Sequence, residues 1–105
     1  MYRIMIVEDD EVIARAVQQS LVSWGMDAFC VQDFSSVLAE FAVKNPQLVL
    51  MDIHLPFFNG FHWCQEIRKV SKVPVIFLSS ASDNMNIIMA VNMGGDDFIA
   101  KPFDL

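Results

Sequence analysis

Apolar runs and helical periodicity alternate along this chain from end to end. The first run, residues 2–7, is apolar and β-branched like a strand buried on both faces, and it stops abruptly at Glu8-Asp9-Asp10-Glu11. Val12, Ile13, Val17, Leu21 and Trp24 then recur at three- and four-residue spacing and predict the inward stripe of a first helix, with acids at its start and Gly25 as its C-terminal cap. Residues 27–31 predict a short second strand. Ser35 and Ser36 are candidate caps of a second helix that turns Val37, Leu38, Phe41 and Ala42 inward and stops at Asn45-Pro46.

The same theme then repeats. Residues 47–52 form an apolar third strand that ends on the carboxylate of Asp52, and a loop with Pro56 leads to a third helix from near Gly60 to about Val70. Residues 74–78 predict a fourth strand ending at Ser79-Ser80. A fourth helix follows over about 83–93, with Met85, Met89 and Met93 four apart and Gly94-Gly95 closing it. Residues 97–100 predict a fifth strand, and Lys101-Pro102 comes at once after it.

One helix between every pair of strands predicts an α/β fold, a doubly wound five-stranded parallel sheet with right-handed crossovers and helices on both faces. In such sheets function gathers at the carboxyl ends of the strands, beside the switch point. Glu8, Asp9, Asp52, Ser79 and Lys101 all fall at those ends. In the order 2-1-3-4-5 the first and third strands are neighbours, so Glu8, Asp9 and Asp52 meet. Carboxylates at close range repel, and an oxygen-only cluster of this kind suits Mg²⁺ or Mn²⁺ better than zinc. Asp52 can then serve as a carboxylate nucleophile that forms an aspartyl-phosphate, while Lys101 and the Ser79 hydroxyl meet the phosphoryl oxygens.

Composition narrows the classes further. A length of 105 residues with 54% hydrophobic and 19% charged side chains describes one globular domain and excludes a disordered segment. The 7 basic against 13 acidic residues, net −6, count against direct contact with a nucleic-acid backbone. Cys30 and Cys64 lack metal or disulfide spacing and read as buried free thiols of a reducing cytoplasm. No apolar run nears the roughly 20 residues of a membrane span, and the N-terminus has no signal-peptide pattern.

The residues of this constellation also carry a resemblance. Val7-Glu8-Asp9-Asp10, Leu50-Met51-Asp52 with Pro56 and Gly60, Pro74-Val75-Ile76-Phe77-Leu78-Ser79-Ser80 and the segment from Gly95 to Phe103 together resemble a bacterial two-component response-regulator receiver domain, over the whole chain. The resemblance implies the flavodoxin- and CheY-like order 2-1-3-4-5. It implies that Asp52 accepts a phosphoryl group from the phosphohistidine of a sensor histidine kinase. It makes Glu8, Asp9, Asp52 and the main-chain carbonyl of His54 the Mg²⁺ ligands, Ser79 and Phe98 the switch pair, and Lys101 the phosphate-binding lysine before a cis-Pro102. On phosphorylation the Ser79 hydroxyl moves towards the phosphoryl group, Phe98 rotates into the vacated space, and the fourth helix and fifth strand change surface.

The last segment is closest to receivers of the OmpR/PhoB type, and residues 74–105 resemble regulators of cell-envelope stress and antimicrobial peptides in Gram-positive bacteria. That implies residues 1–105 as a receiver, a C-terminal winged-helix DNA-binding domain in the parent protein, and dimerisation through helix four, strand five and helix five on activation. Receivers have five helices and this chain ends at Asp104-Leu105, so the expectation is a receiver without its fifth helix. It also implies a cytoplasmic protein that is no turnover enzyme, catalysing only its own phosphoryl transfer and slow autodephosphorylation.

Plainer readings stand beside these. Asp10 and Glu11 read as helix-start charges, Asp96 and Asp97 as loop charges, His54 and His62 as surface or partly buried side chains, and Trp24 and Trp63 as core or near-surface packing. A pseudo-receiver acting without phosphorylation would lack one of Asp9, Asp52, Ser79 or Lys101, and none is lacking. A haloacid-dehalogenase phosphatase needs Asp-x-Asp, and here the second position is His54. Nucleotide-binding motifs are absent.

Overall fold

The structure is a computed structural model that describes residues 2–79 and 97–100; of Ser79 and residues 97–100 it describes the backbone. The elements run β1 (Arg3–Val7), α1 (Glu11–Ser23), β2 (Asp27–Cys30), α2 (Val37–Lys44), β3 (Leu48–Asp52), α3 (Gly60–Arg68), β4 (Val75–Ser79) and β5 (Asp97–Ala100). All strands pair in parallel, in the order β2-β1-β3-β4-β5. The fold class and strand order therefore match the sequence expectation. The predicted fourth helix, Lys101 and Pro102 lie outside the described residues.

Strict alternation along β1, β3 and β4 builds two cores, one on each face of the sheet. Met5, Val7, Val49, Met51, Val75 and Phe77 point to one side, where Phe41 of α2 and Phe61, Trp63 and Ile67 of α3 complete the cluster. Ile4, Ile6, Leu50 and Leu78 point to the other, against Ala14 and Val17 of α1. Burying such side chains contributes about 1.5–3 kcal/mol each. At the edge away from the strand carboxyl ends, Arg3 ties three segments together: its Nε lies 2.9 Å from Asp27 Oδ2, its Nη1 donates to the Lys44 carbonyl at 2.8 Å, and its main-chain N–H donates to Gln47 Oε1 at 2.9 Å.

Four local expectations are corrected. Val12 and Trp24 are exposed, at 79% and 68%, because the buried stripe of α1 passes through Ala14 and Val17, with Ile13 and Leu21 on its flanks. Ala42 is exposed for the same rotational reason, since Val37 and Phe41 hold the inward side of α2. Ser36 occupies the N-cap position of α2 without a side-chain capping bond. Glu40 instead reaches back to accept the main-chain N–H groups of Gln32 and Asp33, at 3.1 and 2.8 Å, and Asp33 accepts the Ser35 N–H at 3.0 Å. Cys30 is only partly buried, against the buried state expected of it, whereas Cys64 is buried; the two are not joined in a disulfide.

An acidic pocket as the candidate functional site

β1 and β3 are neighbours in register, Val7 beside Met51, so the chain leaves both strands at one edge of the sheet. Glu8 lies two positions beyond Ile6 and Asp52 two beyond Leu50, which carries both carboxylates towards the side covered by α1. One oxygen from each of Glu8, Asp9 and Asp52 lies within 4.8 Å of the others. Glu8 and Asp52 are 3% and 4% exposed, while Asp9 is open to solvent. Two buried carboxylates and a third beside them form a strongly negative pocket that favours a compensating cation.

Asp10 takes a different task, as its helix-start reading anticipated. Its carboxylate caps α1, accepting the N–H groups of Val12 and Ile13 at 3.0 and 3.3 Å, while its own N–H donates to Glu8 Oε2 at 3.3 Å. The acidic run is thus divided by geometry: Glu8 and Asp9 face the pocket, and Asp10 and Glu11 serve the helix. Donors that are oxygen only, with one exposed member, suit a hard divalent cation that keeps part of its water shell.

The chain is fastened where it leaves Asp52. Ile53 N–H donates to the Leu78 carbonyl at 3.2 Å, and Gly60 N–H donates back to the Ile53 carbonyl at 2.8 Å. Asn59 caps α3 by accepting the His62 N–H at 2.9 Å. A β-carbon at position 60 would stand 2.1 Å from the Asp52 carbonyl oxygen, so only glycine lets α3 begin this close to the strand end. Sequence reading missed both the Asn59 cap and this steric demand; the available signal was Asn-Gly at the start of an amphipathic run. His54 is exposed and His62 partly buried, as read from the sequence. Trp63 is buried, as one of the two readings for it held.

Ser79 is the last residue of β4 and pairs with Ala100, one position beyond the Asp52–Leu78 pair, so the strand placing Ser79 ends at the same edge as Asp52. Phe98 lies in β5 opposite Phe77. Beside the acidic cluster a groove of about 400 Å³ runs along α1, lined by Glu8, Asp9, Arg15, Phe29, Cys30 and Phe34 among others. Cys30 Sγ sits 3.7 Å from the Ala14 carbonyl, and burial pushes its thiol pKa up against the opposing effect of Arg15. No signal in the sequence marked this groove.

Residues 4–105 match the family model of the response regulator receiver domain. The sensory transduction protein BceR of Bacillus subtilis is 46% identical over 103 residues, covering 98% of this chain and 45% of BceR. The uncharacterized transcriptional regulatory protein YvcP of the same organism is 48% identical over 105 residues, 100% of this chain and 44% of YvcP. The chain therefore spans less than half the length of these curated relatives. Among solved structures, the N-terminal domain of the nisin resistance regulator NsrR, a lantibiotic response regulator, shares 47% identity at a TM-score of 0.89, covering 99% of this chain and 88% of that one. A family match over nearly every residue, on a sheet of the order expected for it, establishes that this chain belongs to the response regulator receiver domains.

Proposed function

We propose that this chain is the phosphoacceptor unit of a two-component response regulator, in which Asp52 takes a phosphoryl group from the phosphohistidine of a sensor histidine kinase. The observation that carries this reading is the meeting of Glu8, Asp9 and Asp52 at the carboxyl ends of two adjacent strands. In the transfer, an Asp52 oxygen bonds to phosphorus, the phosphorus–nitrogen bond of the donor breaks, and the released imidazole takes up a proton. Burial of Asp52 keeps bulk water from competing at the acceptor oxygen and from hydrolysing the product. Glu8, Asp9, Asp52 and the His54 carbonyl would hold Mg²⁺, whose charge offsets that of the carboxylates and the incoming phosphoryl oxygens.

Lys101 and Ser79 are assigned the phosphoryl oxygens, and Phe98 the answering rotation that reshapes the fourth-helix and fifth-strand surface. The transcriptional name of YvcP and the nisin and lantibiotic terms attached to NsrR support the narrower reading. That reading is a cytoplasmic OmpR/PhoB-type regulator of the antimicrobial-peptide response, which couples this surface to a winged-helix DNA-binding domain and dimerises through it. The domain modifies itself and turns over no other substrate.

The test is acetyl phosphate with Mg²⁺, read by intact-protein mass. One phosphoryl group per chain, base-labile and absent from Asp52→Asn, is expected. No gain, or equal gain in the variant, overturns the proposal.

A further inference from the structure

The loop that carries the chain away from Asp52 holds a bulky side chain in an unfavourable posture. The Phe58 N–H donates to the Pro56 carbonyl at 2.9 Å, closing a three-residue turn with Phe57 at its apex at φ 69°. That left-handed region suits Gly or Asn; an aromatic residue is strained in it. Burial of the ring does not compensate, because Phe57 is 78% exposed. Its neighbour differs: the Phe58 ring stacks on His62 at 4.3 Å and meets Trp63 edge-on at 5.5 Å, whereas Phe57 makes no such ring contact among the described residues.

The turn is gripped from both sides. Leu55 packs on the core, and beyond the turn Asn59 caps α3 while Gly60 bonds back to Ile53. Strain of this kind, with no compensating ring contact among the described residues, points to a segment fixed for something outside it.

We propose that Phe57 is an anchor for the protein phosphodonor, buried against the histidine-bearing surface of a sensor kinase during transfer to Asp52; this rests on the phosphoacceptor reading above. Asp52 is 4% exposed at the floor of its pocket, so a histidine on a folded partner reaches it only when the partner's surface closes over the surrounding loops. Phe57 stands five positions along the loop that begins at Asp52. A rigid, exposed aromatic desolvated at the centre of a contact is the type of residue whose truncation costs most. Acetyl phosphate is small enough to enter without covering that loop, and so does not meet the ring.

The experiment compares wild type, Phe57→Asn and Phe57→Tyr, labelled either by acetyl phosphate or by the autophosphorylated histidine kinase that labels wild type fastest among a panel of kinases. Asn suits the left-handed backbone and removes the ring; Tyr keeps the ring. The expected result is a fall of about tenfold or more in kinase-dependent transfer for Phe57→Asn, near wild-type transfer for Phe57→Tyr, and unchanged acetyl phosphate labelling for both. Kinase-dependent transfer in Phe57→Asn equal to wild type overturns the inference. So does an equal loss with both donors, which would place the effect in the pocket. Failure of wild type itself to accept acetyl phosphate overturns the phosphoacceptor reading and this inference with it.

Discussion

Gly60 and Asp52 are in backbone contact: a β-carbon on the first residue of α3 would lie 2.1 Å from the carbonyl oxygen of the last residue of β3. Gly60→Ala must therefore push the acceptor strand and the helix apart. The expected cost is about 1–3 kcal/mol in urea denaturation, with weaker Mg²⁺ binding than wild type when the two are titrated under conditions where both are folded.

The clustering of three carboxylates predicts opposite responses to charge removal and to metal. Asp9→Asn relieves repulsion, so the variant is expected to melt at a higher temperature than wild type in EDTA. Mg²⁺ at one hundred times its Kd should stabilise wild type by about 2.7 kcal/mol. It should add much less to Asp9→Asn at the same concentration, as differential scanning calorimetry would read.

Cys30 predicts a loss of stability in alkali. Burial raises its pKa in the fold above the ordinary value of 9.0, so from that pH upward the unfolded chain releases its proton while the folded one retains it. Stability contributed by the neutral thiol is present below that value and is lost as pH rises through the folded pKa. Denaturation midpoints of wild type should fall more steeply above pH 9 than those of Cys30→Ala. Iodoacetamide at pH 8 should label Cys30 more slowly than a fully solvated thiol such as that of glutathione, and buried Cys64 only after unfolding.

The indole Nε1 of Trp63 is buried without a hydrogen-bond partner among the described residues. Removing that donor recovers part of what truncation costs. Trp63→Phe is expected to lie within about 1 kcal/mol of wild type, against about 3–5 kcal/mol for Trp63→Ala. Chemical denaturation of the two variants checks the difference.

Much of the fold was legible because its governing signal is periodic. Apolar strands that end on Glu8, Asp52 and Ser79 foretell a parallel sheet with chemistry at one edge, and β5 occupies the predicted residues 97–100. What escaped was set by interactions without a period. The Glu40 bonds to the Gln32 and Asp33 amides span seven or eight residues across a loop, and nothing in composition distinguishes them from a Ser36 cap. Val12 and Trp24 sit at helical spacing from the true stripe, yet a small rotation of α1 puts Ala14 inside and both of them outside. The left-handed Phe57 had no local signal, since Gly or Asn would be the ordinary occupant of that backbone.

The two-sided sheet has one more consequence. Phe77 and Leu78 are joined by a peptide bond, yet one belongs to the layer beneath α3 and the other to the layer beneath α1. Energetic coupling follows shared contacts, so substitutions at these two adjacent positions should add nearly independently, whereas Phe77 and Phe61, sixteen positions apart with ring centroids 5.2 Å from each other, should not. Kinship in this molecule runs across the layers and not along the chain, and either layer can be rewritten over generations with little reference to the other.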